Sequence, residues 1–73
     1  MSRKVFRTLS YNVMAALDKT GVSKQAFCRA HNLSETTLER IIAGQNISLK
    51  TLDDWASELG VAPWQLLKEG GVE

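Results

Sequence analysis

The chain has 73 residues, 44% of them hydrophobic and 23% charged: enough for one small folded domain and too apolar for a disordered one. Its single cysteine, Cys28, excludes an internal disulfide framework, and its net charge of +1 says nothing by itself about nucleic acid. No stretch approaches the roughly 20 apolar residues of a membrane span, and the basic N-terminus MSRKVFRTLS lacks the apolar run of a secretory signal, so the expected location is the cytoplasm, with no membrane partner.

Residues 1–8, which include Arg3, Lys4 and Arg7, read as a basic N-terminal arm. Leu9, Val13 and Leu17 then recur four apart, the spacing of a one-sided helix, and Gly21 ends that segment. Ser23 opens a second segment that stops at Asn32, and Ser34 opens a third that stops at Gly44. Ser48 opens a fourth, along which Leu49, Leu52, Trp55 or Ala56, and Leu59 step by three or four before Gly60. Each serine can cap free backbone N–H groups, and each Gly or Asn suits the positive φ that often follows a helix. Pro63 suits the first position of a fifth helix, and Gly70-Gly71-Val72-Glu73 reads as a flexible tail. The expected fold is all-α: a compact bundle of five short helices in one domain over residues 9–69, an arm over 1–8 and a tail over 70–73.

Charge is unevenly spread along these segments. Residues 1–50 hold eight basic and three acidic residues, whereas residues 51–73 hold one basic and five acidic ones. Such polarity can set one face against phosphates and leave another acidic.

The second and third segments are joined only by Asn32-Leu33-Ser34, and so short a link forces a steep crossing, the geometry of a helix-turn-helix. That crossing needs a small residue at the approach, a turn residue tolerant of positive φ, and apolar residues that lock the second helix down. Cys28, Asn32, and Leu33, Leu38 and Ile41 meet these needs in turn. The stretches GVSKQAFCRAHNLSETTLERIIAG and ISLKTLDDWASELGVAPWQLL, taken in order, resemble the lambda-repressor-like, Cro-type helix-turn-helix domains of phage and bacterial regulators. The resemblance runs from about Leu9 to Leu67. It departs from the usual pattern at Lys24, where the family favours glutamine, at Cys28, often alanine, and at Asn32, often glycine.

The resemblance implies that the third helix enters the major groove of double-stranded DNA. Once Leu38, Ile41 and Ile42 are assigned to the core, its outward residues are Glu35, Thr36, Thr37, Glu39 and Arg40. Arg40 suits guanine, the two threonines suit mixed or methyl contacts, and Glu35 can accept from the cytosine amino group. Because glutamates repel the backbone, phosphate contacts are expected from Ser23 and Lys24, from Gln45, Asn46 and the loop amides, from Ser48 and Lys50, and from the arm residues Arg3, Lys4 and Arg7. Few such contacts imply modest affinity per copy. A homodimer on a pseudo-palindromic operator is therefore expected, with repression as the output and Trp64 as a candidate dimer contact.

A different class of function stands beside this one. The acidic Glu35 and Glu39 also suit a protein-interaction module, an antitoxin-like subunit or docking domain that keeps the fold without reading DNA. An enzyme is not expected: no paired-carboxylate cleft, phosphate loop or Ser/His/Asp set is legible, and His31 is the one histidine. No cofactor, metal or small-molecule substrate is expected either.

Overall fold

Three serines start three of the helices. In the computed structural model, which describes residues 4–72, the Ser23, Ser34 and Ser48 hydroxyl oxygens accept the Ala26, Thr37 and Thr51 N–H groups at 3.1, 3.2 and 3.1 Å. They open α2 (Lys24–His31), α3 (Glu35–Ile42) and α4 (Leu49–Leu59). α1 (Lys4–Thr20) precedes them and α5 (Pro63–Leu67) follows, with Pro63 as its first residue. The described residues contain no strand.

The stops are equally local. α2, α3 and α4 each end in a left-handed residue, Asn32 (φ 58°), Gly44 and Gly60. Behind each, the next N–H reaches back five residues: Leu33 to the Cys28 carbonyl at 2.8 Å, Gln45 to Arg40 at 3.0 Å and Val61 to Ala56 at 3.0 Å. This closure satisfies carbonyls that the helix end would otherwise leave free.

The apolar stripes meet in one core. Leu9, Val13 and Leu17 of α1, Phe27 and Cys28 of α2, Leu38 and Ile41 of α3, Leu52, Trp55 and Ala56 of α4, and Leu66 of α5 are all buried. α1 packs on α3 and α5, α4 packs on α5, and α2 packs on α3. Leu33 before the α3 cap and Leu38 four positions inside it stand in the staple arrangement that fixes a chain's entry angle, as do Ile47 and Leu52 at α4. The radius of gyration, 11.0 Å, equals the roughly 11 Å expected for a compact chain of this length.

Three features differ from the sequence reading. Lys4 and Arg7 lie on the first turns of α1, so the segment expected to be an arm is helical from Lys4 onward; Arg3 lies outside the described residues. The reason is Phe6, which continues the Leu9 stripe by three residues and is half-buried against the loop after α3. The tail is docked: Val72 is buried in the core and the Lys19 ammonium donates to its carbonyl. Leu49 is 81% exposed, because the core side of α4 begins at Leu52 and Ile47 fills the space below the cap.

Candidate nucleic-acid interface

α3 is held from beneath and open above. Leu38 and Ile41 anchor it in the core, and the Ser10 hydroxyl of α1 donates to the Ile42 carbonyl at its last turn, at 2.9 Å. Glu35, Thr36, Glu39 and Arg40 are exposed and Thr37 is half-buried. The five residues expected to face bases thus share the helix surface that the core leaves free.

Two clefts flank this surface. One is lined by Lys24 and Gln25 from the start of α2 and by Glu35, Leu38, Glu39, Ile42 and Ala43 from α3. The other is lined by Phe6, Arg40, Ala43, Gly44, Gln45 and Asn46. They meet at Ala43, so Lys24, the outward face of α3, Arg40 and the loop before α4 form one continuous surface. Among the described residues, none of Lys24, Glu35, Glu39 and Arg40 is held in an ion pair. Their charges are available to a partner.

Other sites expected from the sequence are partly occupied. Ser23 and Ser48 spend an oxygen lone pair on capping, and the Ser48 hydroxyl donates to Thr51 Oγ1 at 3.0 Å. What these positions still offer an anion is the first backbone N–H groups of α2 and α4, which have no acceptor within the helix. Lys50 reaches Asp54 at 3.0 Å, an exposed pair one helical turn apart. Such a pair is worth only a few tenths of a kcal/mol, so a phosphate can displace it. The i, i+4 spacing of Lys50 and Asp54 was the sequence signal for this pairing. Lys4 pairs with Glu69 at 3.4 Å, Arg7 is exposed on α1, and Trp64 is 60% exposed with the Lys68 ammonium 5.8 Å from its ring centre.

The surface also includes residues that sequence reasoning passed over. Gln25 and Ala43 line the Lys24 cleft, and Phe6 lines the Arg40 cleft. Gln25 was legible as the second residue of a capped helix; Phe6 was not, because its partners are about 35 residues away. Beneath the surface, burial pushes the Cys28 thiol above its ordinary pKa, and the Glu35 carboxylate adds to the rise. At the far end of α2, His31 stacks on Phe27 with ring centres 4.0 Å apart and its Nδ1 lies 2.7 Å from Glu58, tying the helix-turn-helix to α4.

Comparison with known families matches residues 12–68 to the Cro/C1-type helix-turn-helix DNA-binding domain. No curated protein and no solved structure gives a significant match.

Proposed function

The chain belongs to the family of Cro/C1-type helix-turn-helix DNA-binding domains, and from that premise of a DNA-binding regulator we propose a repressor that reads a pseudo-palindromic duplex as a homodimer. The observation that carries this reading is the exposed face of α3. It presents carboxylates, hydroxyls and a guanidinium, none of the charged ones in an ion pair among the described residues, between Lys24 on one side and the Gln45-Asn46 loop on the other.

In this reading Arg40 takes guanine or a nearby phosphate, Thr36 and Thr37 meet base edges or a thymine methyl, and Glu35 and Glu39 favour an amino donor such as cytosine. Lys24, Lys50 and the free N–H groups after Ser23 and Ser48 hold phosphates, with Gln45 and Asn46 between them. Lys4 and Arg7 act from the first turns of α1 and add long-range attraction. The glutamates weaken binding to every wrong sequence, which raises specificity at the cost of affinity. Pairing two copies restores the affinity, and the exposed Trp64 and Leu67 of α5 give an apolar surface for it.

A second reading has its own observation. Tyr11, Met14 and Val22 are exposed around a cleft between α1 and the start of α2, a surface that suits a protein partner. Selection of bound duplexes from a random pool, followed by footprinting of wild type and of the Glu35→Ala, Glu39→Ala double variant, separates the two. A repressor yields a two-fold site whose preferred bases change in the variant, with non-specific binding strengthened about tenfold or less. Equal affinity for every duplex in the pool, unchanged by the substitutions, sinks the repressor reading and favours docking.

A further inference from the structure

Two polar side chains of α1 are buried in the core, Ser10 and Asn12, the latter completely. Two residues apart on a helix, they point about 200° apart around its axis. Ser10 grips the end of α3 through the Ile42 carbonyl. Asn12 grips the end of α5: its Nδ2 lies 3.1, 2.9 and 2.9 Å from the Gln65, Leu66 and Lys68 carbonyls. Three acceptors around two N–H groups leave no room for the reversed amide, and Oδ1 faces no donor. α1 is therefore a beam with the reading helix fastened on one side and α5 on the other.

Past α5 the chain folds back along this beam. The Gly71 N–H donates to the Lys68 carbonyl at 2.8 Å, Gln65 Nε2 donates to the Gly71 carbonyl at 3.1 Å, and Val72 fills a place in the core. Glu69 reaches Lys4 and the Val72 carbonyl reaches Lys19, so the segment engages α1 at Lys4, Asn12 and Lys19, a span of roughly 22 Å of helix. Gly71 admits no side chain: a Cβ there would stand 2.1 Å from the Gln65 carbonyl oxygen and 2.9 Å from that of Lys68, both backbone atoms.

We propose that Lys68–Val72 is a latch that sets the position of α5 separately from the helix-turn-helix, so that unlatching it disturbs the pairing of two copies and leaves base reading by each copy intact. α5 carries the exposed Trp64 and Leu67, and its carbonyl end is fastened by Asn12, on the side of α1 away from Ser10. The proposal rests on the paired, DNA-reading function above.

The test uses Gly71→Ala, with Val72→Ala as a milder companion should the first fail to fold. Amide hydrogen exchange is measured alongside binding to the selected full duplex and to a single half-site duplex. A latch predicts exchange at residues 66–72 at least tenfold faster, with the amides of α2 and α3 protected as in wild type. It further predicts half-site affinity within twofold of wild type and full-site affinity at least tenfold weaker. Exchange accelerated throughout the domain overturns the proposal, as does equal loss on both duplexes or full-site binding unchanged by an opened strap. Should wild type bind the full site no better than the half-site, the homodimer reading fails and takes the pairing role with it, whereas one-copy binding would survive.

Discussion

Cys28 occupies the place where the helix-turn-helix allows least room, 1% exposed beneath the start of α3. Its thiol stays protonated to higher pH in the fold than in the open chain, because burial disfavours the thiolate and Glu35 adds a like charge. The unfolded thiol loses its proton near its ordinary value of about 8.5, while the folded one keeps it. The stability from this source is complete below that value and is lost as pH rises through the raised folded value. Denaturant unfolding between pH 7 and 10 should therefore show a decline in wild type that is shallower in Cys28→Ala. Parallel profiles for the two proteins would show that the thiol takes no part. The same carboxylate that discourages ionisation below α3 is exposed on its outer face, so under the proposed DNA-reading role Glu35→Gln should shrink the pH dependence and alter base preference together.

Between α2 and α3, one residue decides the crossing. Asn32 stands at φ 58° and lets Leu33 turn back to the Cys28 carbonyl. Asn32→Gly should keep stability within about 0.5 kcal/mol, and Asn32→Val, a β-branched residue in the left-handed region, should cost roughly 1–2 kcal/mol. Urea melts measure both, and a valine variant as stable as wild type would remove strain from this account of the turn. Elements of this local kind were readable beforehand. Ser23, Ser34 and Ser48 cap as their positions require, the stops at Asn32, Gly44 and Gly60 are left-handed, and the outward face of α3 followed from subtracting Leu38, Ile41 and Ile42, the last of them half-buried. What escaped depends on partners far along the chain. Gly70-Gly71 reads as flexible until Gln65 is brought beside it, and nothing near Asn12 in the chain marks it for burial among three carbonyls 53 to 56 residues away. Lys4 and Arg7 read as an arm because the seat of Phe6 is made by a later loop.

Across the whole molecule, charge divides by role. The basic first part of the chain supplies Lys24 beside α3 and Arg40 on it, and the acidic last part supplies Asp53, Asp54 and Glu58 on α4. The two meet at Lys50, whose ammonium is shared with Asp54. Titration with salt should resolve the contributions. Lys24→Gln should reduce the slope of log affinity against log salt by about 0.9, one phosphate's worth, and Asp54→Asn should strengthen binding severalfold by releasing Lys50. An Asp54→Asn variant that binds as wild type does would place Lys50 away from the phosphates.

The two tryptophans sit at opposite extremes of this architecture. Trp55 is 2% exposed and stacks near Phe27, and Trp64 stands open on α5. Light absorbed by one reports the interior and light absorbed by the other reports the surface. An aqueous quencher such as iodide should silence Trp64 alone in the native protein. The molecule thus carries two optical channels without a label, one for unfolding and one for whatever comes to rest on α5.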